Sequence, residues 1–279
     1  MTLVALAVLG RGVVSPDEPA VFADDEGMLR GRSVFETVRV YGGVPFMLGA
    51  HLDRLAASAE RLRLPPPRRD ELEAAAFEAI AAGGVLDATL RLLWTAGREE
   101  HDAPSGLVLV STLPEGLEEL RARGLRVAVV RWAAGALAGT KSTSYAENIA
   151  AKDDAVERGA DDALLVAPDD TVLEAPTSNV WFREGALLLT PSLALPVLAG
   201  VTRAALWRLA PQVGYGVEEG TFELARLLAA DEVFFSSSVR EVAPVVAIDG
   251  VPVGGGTPGP AAAALQNALR VAAGYPDVA

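Results

Sequence analysis

The chain has 279 residues, 51% of them hydrophobic, which is enough apolar material for one large domain or two of ordinary size. Its formal net charge of -13 disfavours nucleic acid and anionic membrane surfaces as general partners. The sequence contains no cysteine, which excludes disulfides and thiolate metal sites, and the isolated histidines His51 and His101 lack metal-ligand spacing, so no metal site is expected.

The apolar run at residues 3–9 predicts a buried strand rather than a signal peptide. No basic residue precedes the run, and Gly10-Arg11-Gly12 follows it at once. No later stretch is long and uncharged enough to span a bilayer. These features predict a soluble chain that stays in the cytoplasm.

Residues 1–114 are predicted to form a small α/β domain. Strands are expected at residues 34–40, 89–95 and 106–112, and Gly42-Gly43 is expected to turn the first of them into a hairpin. Leucines at helical spacing predict a helix that stops before Pro65, and Asp70 is expected to cap a second helix over residues 71–82. Residues 115–124 are charged and are the expected connection between two domains.

Residues 125–279 are predicted to form a larger C-terminal domain. Its strands are expected at residues 125–132, 163–167, 172–173, 180–183, 186–190 and 233–235, and its helices at residues 148–158, 200–209 and 261–273. Residues 236–238 are three serines, which predict a polar loop after the last strand.

Lysine is the unusual residue of this sequence. Lys141 and Lys152 are the only lysines among 24 basic residues, although a compositional bias toward arginine would also leave few lysines by chance. Lysine, unlike arginine, can lose its proton near neutral pH and form an imine with a carbonyl. Lys141 lies in a small, polar segment and Lys152 in a predicted helix, so Lys141 is the candidate for such chemistry.

Two further segments contain groups that an imine-forming cofactor needs. Glu174 follows a predicted strand and can hold a ring nitrogen protonated, although residues 174–179 are also ordinary turn residues. Residues 200–203 begin a predicted helix, whose free N–H groups favour a phosphate, and Ser237 and Ser238 can add hydroxyls from a second loop. Arg54 falls off the leucine stripe of its helix, so periodicity alone predicts a solvated side chain.

Taken in order, these segments resemble the class IV aminotransferases. These are the pyridoxal-phosphate enzymes of fold type IV, which include D-amino-acid aminotransferase, branched-chain aminotransferase and aminodeoxychorismate lyase. The resemblance rests on residues 51–55, Lys141, residues 174–179, residues 200–203, and residues 236–238 leading into residues 241–245. It implies a two-lobed α/β fold with pyridoxal 5′-phosphate between a small N-terminal and a larger C-terminal domain, and it implies a homodimer.

The resemblance also implies a role for each segment. Lys141 matches the lysine that binds the cofactor as an imine and then moves the substrate proton, and Glu174 matches the acid at the pyridine nitrogen. Tyr145 is expected near the ring oxygen. The other implied cofactor-binding residues are Arg54, Val201, Thr202, Ser237 and Ser238 around the phosphate, and Ser178 and Asn179 beside the ring.

The sequence departs from the family pattern where substrate is bound. Residues 30–33 are Arg-Gly-Arg-Ser where family members often have Phe-Gly-Asp-Gly, and Ala96 stands where the D-amino-acid enzymes have a carboxylate-binding arginine. Arg30 and Arg91 are candidates to replace that arginine, because a guanidinium can grip a carboxylate by two parallel hydrogen bonds. A surface charge at Arg30 and a structural strand arginine at Arg91 are equally consistent with the sequence.

The expected reaction is transamination between an amino acid, of D configuration, and a 2-oxo acid. Thr37 favours the alternative, a lyase that releases pyruvate and 4-aminobenzoate from aminodeoxychorismate, since those lyases resemble this chain in having a threonine there. Threonine is also an ordinary β-former. A non-catalytic binding protein of the same fold is disfavoured because Lys141 and Glu174 are both present.

Overall fold

The computed structural model describes residues 1–98 and 104–275, so His101 lies outside the described residues. The chain divides into two compact units. The first contains Met1–Glu115 and Thr140–Tyr145, and the second contains Gly116–Gly139 and Ala146–Ala279. Among the described helices, none is long and apolar enough to cross a bilayer.

The first unit is built on an antiparallel sheet that is covered by helices. Its strands are β1 Leu3–Val8, β2 Gly12–Val14, β3 Ser33–Tyr41, β4 Val44–Pro45, β5 Ala88–Thr95 and β6 Gly106–Thr112, and its helices are α1 Glu26–Arg30, α2 Leu48–Arg61 and α3 Arg69–Gly83. In the described part of the chain the six strands lie in the order β2-β1-β6-β5-β3-β4.

Strand β3 determines which side chains of the first unit face the core. Val34, Val38 and Val40 pack into the same buried cluster as the leucines of α2. Because successive side chains of a strand point to opposite faces, Glu36 falls on this inward side, whereas Phe35 and Thr37 fall on the other.

The predicted helix cap at Asp70 is wrong. Helix α3 begins at Arg69, and its N-cap residue, Arg68, makes no side-chain capping hydrogen bond. The helix starts as soon as the proline run at residues 65–67 ends. Asp70 instead lies in the first turn, where its negative charge suits the helix dipole.

The segment that contains Lys141 belongs to the first unit, although the sequence placed it in the domain of residues 125–279. The Phe35 N–H donates to the Lys141 carbonyl at 3.0 Å, and the Thr143 N–H donates to the Ser33 carbonyl at 3.0 Å. These bonds satisfy backbone groups of a small, polar segment that brings little apolar surface of its own.

The second unit is built on a mixed sheet. Its strands are β7 Leu125–Arg131, β8 Asp162–Val166, β9 Asn179–Glu184, β10 Leu187–Pro191, β11 Gly216–Gly220, β12 Glu232–Ser237, β13 Glu241–Ile248 and β14 Val251–Pro252. Its helices are α4 Leu117–Arg123, α5 Ala146–Glu157, α6 Val201–Leu209, α7 Leu224–Leu228 and α8 Pro260–Ala272. Over the described residues the strand order is β11-β10-β9-β12-β13-β7-β8, with β14 paired to β13.

Three predicted boundaries in the second unit differ from the structure. Residues 115–124, expected as a connection, contain helix α4. Residues 172–173, expected as a strand, do not form one, and Val172 makes a single isolated bridge to Val166. Strand β12 continues into the expected serine loop, because Ser236 and Ser237 pair with Val242 and Glu241 of β13.

Candidate active site

Lys141 lies against an aromatic pair of the first unit. Its Nζ atom lies 4.5 Å from the centroid of the Phe35 ring and 5.9 Å from that of Tyr145. The two rings meet edge to face, with their centroids 5.5 Å apart. An ammonium group is attracted to aromatic faces, so this pair holds the amine on the face of the sheet that carries Phe35 and Thr37.

Arg91 lies on the same face of the sheet. It is directly opposite Thr37 in the β3–β5 register, and its guanidinium carbon lies 5.5 Å from the centroid of the Phe35 ring. The two distances to this ring limit the separation of the Lys141 Nζ and the Arg91 Cζ to at most about 10 Å. One aromatic side chain therefore contacts both the candidate amine and a candidate carboxylate-binding cation.

Arg30, the other candidate, is engaged by an acid. Its Nη1 donates to the Glu26 Oε1 at 2.6 Å, and its side chain is 60% exposed. Arg32 Nη1 lies 3.6 Å from the second oxygen of Glu26. One buried carboxylate thus balances both arginines of residues 30–33, which favours Arg91 over Arg30 as the residue that binds a substrate carboxylate.

Arg54 is not a solvated side chain, so the interpretation from helix periodicity is wrong. Its side chain is 13% exposed, and its Nε and Nη2 donate to the two Glu36 oxygens at 2.8 and 2.6 Å. The His51 Nδ1 lies 2.7 Å from the Glu36 Oε2. Sequence analysis missed Glu36 and His51, although strand alternation already put Glu36 in line with the inward-facing Val34 and Val38.

The charges of this cluster follow from its burial and its hydrogen bonds. Burial alone would raise the pKa of Glu36, but the hydrogen bonds from Arg54 and His51 outweigh it and lower the pKa to about 2. Burial lowers the pKa of His51 below its ordinary value of 6.5, against the opposing effect of the Glu36 carboxylate. At neutral pH the cluster is therefore a carboxylate, a guanidinium and a neutral imidazole that donates its Nδ1–H.

Glu174 is held by backbone and side-chain donors of the second unit. The Leu198 N–H donates to its two oxygens at 3.2 and 3.1 Å, and the Asn179 Nδ2 donates to Oε2 at 3.0 Å. The same Asn179 nitrogen also donates to the Leu198 carbonyl at 2.8 Å. These contacts favour the ionised carboxylate and fix its orientation, as a partner for a protonated ring nitrogen requires.

The N-terminus of α6 approaches this acid through a glycine. Gly200 is the N-cap of the helix and, as a glycine, brings no side chain that could cap the amides of the first turn. A Cβ atom built on Gly200 would lie 1.9 Å from the Asn179 Oδ1. Val201 and Thr202, both buried, begin the helix, and α6 packs against β12, which ends at Ser237. The amides of a helix N-terminus and nearby hydroxyl groups are the donors that a phosphate group requires.

Arg240 joins two of the predicted cofactor segments, and sequence analysis missed it. Its Nη2 donates to the Thr177 Oγ1 at 2.7 Å and to the buried Ser178 Oγ at 3.1 Å. Its Nη1 lies 2.6 Å from the Oδ2 of the buried Asp162. An arginine two positions after the last of the serines at 236–238 was the signal in the sequence.

These residues fit pyridoxal phosphate by the chemistry of their donors and by the close approach at Gly200. The family comparison agrees: the profile of the amino-transferase class IV family matches residues 33–248, more than half of the chain. The chain belongs to the class IV aminotransferases. Enzymes of this family use pyridoxal 5′-phosphate, so the resemblance and the cofactor inferred from the sequence are confirmed.

Named relatives cover most of this class IV chain. It is 32% identical over 257 residues to the bifunctional aminodeoxychorismate lyase / D-amino acid transaminase of Mycobacterium tuberculosis, which covers 85% of this chain and 89% of that protein. It is 31% identical over 263 residues to D-alanine aminotransferase of Bacillus licheniformis, with 91% and 92% covered.

Solved structures confirm the predicted fold type. The fold IV transaminase of Curtobacterium pusillum matches with a TM-score of 0.86 and 33% identity, over 93% of this chain and 96% of that one. Other solved structures that match are of branched-chain amino acid aminotransferases. The matching proteins therefore differ among themselves in substrate while they agree in family and fold.

Proposed function

We propose that this class IV aminotransferase exchanges an amino group between an amino acid of D configuration and a 2-oxo acid. The proposal rests on one observation: the Lys141 amine and the Arg91 guanidinium both lie against the ring of Phe35. An amino acid carries its carboxylate next to its amine, so its site needs a cation near the imine-forming lysine. The D configuration is supported by the relatives that are named D-alanine aminotransferase and D-amino acid transaminase.

The proposed mechanism assigns one task to each group of residues. Pyridoxal phosphate, when bound, supplies an electron-poor ring that accepts the electrons left after proton removal. Lys141 would hold the cofactor, and its amine would move the substrate α-proton as general base and then as general acid. Glu174, oriented by Leu198 and Asn179, would pair with the ring nitrogen of the cofactor and favour its protonated form.

The phosphate is assigned to the N-terminus of α6 and to Ser237 and Ser238, at the end of β12 and just after it. In the second unit, amides of the first turn of α6 and hydroxyl groups are neutral donors. In the first unit, Glu36 orients the Arg54 guanidinium, a positive charge that the family resemblance assigns to the phosphate. The residues assigned to the phosphate are Arg54, Val201, Thr202, Ser237 and Ser238. Ser178 is assigned to the ring side of the same cofactor.

Half-reaction kinetics of Arg91→Ala test the proposal. With D-alanine, kcat/KM is expected to fall roughly 10- to 150-fold, which corresponds to a lost charge-assisted contact of about 1.5–3 kcal/mol. A chiral amine without a carboxyl group is expected to react at the rate of the unchanged enzyme. Arg30→Ala is the matched control, because the Arg30 guanidinium is bonded to Glu26.

Three results would contradict this assignment. Equal losses with both donors would make Arg91 a structural residue, and a loss confined to Arg30→Ala would move the carboxylate site to Arg30. Turnover of branched-chain L-amino acids without turnover of D-amino acids would refute the D configuration.

The lyase remains the second candidate because of the position of Thr37. This half-buried residue is the cross-strand partner of Arg91, so its hydroxyl lies beside the proposed carboxylate site. Pyruvate release from aminodeoxychorismate, compared with amino transfer to 2-oxoglutarate, separates the two reactions. Thr37→Val removes the hydroxyl at nearly constant shape and is expected to impair pyruvate release more than transamination.

We also propose that the enzyme is a homodimer. Phe22, Met28 and Leu29 of the first unit are 62%, 68% and 62% exposed and lie close together in the sequence, and large exposed apolar side chains are typical of a surface that another chain covers. Sedimentation of the purified protein is expected to give twice the mass of the chain, and a monomer at micromolar concentration would refute this proposal.

A further inference from the structure

The hairpin of β12 and β13 is closed by a residue with an unusual backbone conformation. Ser237 pairs with Glu241 across the hairpin, and residues 238–240 form the loop between them. Glu241 has a φ of +58°, in the left-handed region that glycine occupies most readily. A non-glycine residue persists there only when the surrounding structure holds it.

The side chain of Glu241 supplies that hold. It is fully buried, and its Oε2 accepts from the Gln266 Nε2 at 2.7 Å, from the Arg121 Nη2 at 2.8 Å and from the Arg270 Nη2 at 2.9 Å. The Gln266 Oε1 accepts from the Val242 N–H at 3.0 Å. Arg121 of α4 and Gln266 and Arg270 of α8 therefore hydrogen-bond to the side chain of Glu241, and Gln266 also binds the backbone of the next residue.

The preceding residue, Arg240, connects the same loop to other segments of the second unit. Arg240 bonds to Thr177 and Ser178, which belong to the segment of Glu174, and pairs with the buried Asp162 at 2.6 Å. Arg121 also donates to the Arg240 carbonyl at 3.2 Å. The loop that follows Ser237 is thus fixed at two consecutive residues, one toward the Glu174 segment and one toward α4 and α8.

We infer that Arg240 and Glu241 are positioning residues for the cofactor phosphate. Glu241 fixes the conformation of residues 238–240, and Arg240 fixes the distance between this loop and the ring-binding segment at residues 174–179. Neither side chain needs to touch the phosphate, because each acts through the backbone that presents Ser237 and Ser238. The inference rests on the proposed function, which assigns these two serines to the phosphate.

Equilibrium titration of the apoenzyme with pyridoxal phosphate and with pyridoxal, which lacks the phosphate, tests the inference. In Glu241→Gln the affinity for pyridoxal phosphate is expected to fall about tenfold or more, the scale of one lost charge-assisted contact. The affinity for pyridoxal is expected to change far less. A general defect in folding would weaken both ligands together, so the ratio of the two affinities is the decisive readout.

A glycine variant separates the side chain from the backbone. Glu241→Gly suits the positive φ but removes the anchor, so it is expected to lose phosphate-dependent affinity as Glu241→Gln does. Asp170→Gly is the matched control, because Asp170 has a φ of +68° and an exposed side chain. It is expected to keep both affinities. Unchanged pyridoxal phosphate affinity in Glu241→Gly would overturn the role of the anchor.

The double variant Asp162→Asn/Arg240→Met removes the contacts of the Arg240 side chain with Asp162, Thr177 and Ser178, and it leaves no unbalanced buried charge. It is expected to lower the affinity ratio as the Glu241 variants do, and it does not disturb the ionic cluster around Glu241. Ser238→Ala and Thr202→Ala identify which proposal fails. If they leave the ratio unchanged, the phosphate assignment is wrong and the inference falls with it. If they lower the ratio while the Arg240 and Glu241 variants do not, only the positioning role is refuted.

Discussion

Replacing Glu36 by glutamine tests how much the buried cluster of the first unit contributes to stability. The change keeps the size of the side chain but removes the negative charge that receives two N–H groups of Arg54 and the Nδ1–H of His51. The amide nitrogen of glutamine is itself a donor, so it would face donors on both sides. Arg54, whose side chain is 13% exposed, would lose its anionic partner in β3 without gaining much solvent.

The expected loss can be estimated in two ways. The pKa of Glu36 is lowered from 4.5 to about 2, and at about 1.36 kcal/mol for each unit this preference for the charged form is worth about 3 kcal/mol. Removing one partner of a buried ion pair costs about 3–5 kcal/mol in other proteins. The two agree, so the free energy of unfolding at pH 7 is expected to fall by about 3 kcal/mol in Glu36→Gln.

The pH dependence gives the sign of the effect. A carboxyl group whose folded pKa is lowered stabilises the protein above its unfolded pKa, and this stability is lost as the pH falls from 4.5 toward about 2. Burial also lowers the pKa of His51 below 6.5, so the unfolded chain takes up a proton at this residue more readily than the folded chain does, and the protein loses stability as the pH falls below 6.5. Glu36→Gln is therefore expected to show a shallower loss of stability below pH 4.5 than the unchanged protein.

Urea unfolding of the apoenzyme at a series of pH values, followed by circular dichroism, measures both quantities. Glu60→Gln, at an exposed position of α2, is the matched control and is expected to change little. Equal stability of Glu36→Gln and the unchanged protein at pH 7, together with parallel slopes at acid pH, would refute the reasoning.

Two further predictions concern the cofactor. Gly200→Ala places a methyl group 1.9 Å from the Asn179 Oδ1 and is expected to weaken pyridoxal phosphate binding at least about tenfold. The control Gly135→Ala, whose added methyl group has nothing within 4 Å, is expected to bind the cofactor normally. Equal affinities of the two variants by titration would contradict the importance of the close approach at Gly200. Lys141→Ala is expected to abolish turnover and the visible absorbance of the bound cofactor while Lys152→Ala keeps both, and equal loss in the two variants would contradict the assignment of the lysine.

The sequence by itself determined the family, the fold type and most of the secondary structure. The secondary structure follows from local signals, such as the β-rich residues of β3 and the leucine spacing of α2, and the family and fold type follow from a resemblance carried by five short segments in order, among them Lys141 and the entry to α6. Each signal lies within a few residues, where propensity and periodicity act directly on the backbone. Even so, the sequence placed the Lys141 segment with the wrong unit, because its hydrogen bonds go to Ser33 and Phe35, more than 100 positions earlier in the chain.

The tertiary structure decided which charges meet. Arg54 was predicted to be solvated because helix periodicity describes a face of the helix but not what covers that face. Its partner Glu36 is 18 positions away, and Glu241 meets Arg121 at a separation of 120 positions. Buried charges are tolerated only when such partners arrive together, so their pairing is a property of the folded chain and not of any segment within it.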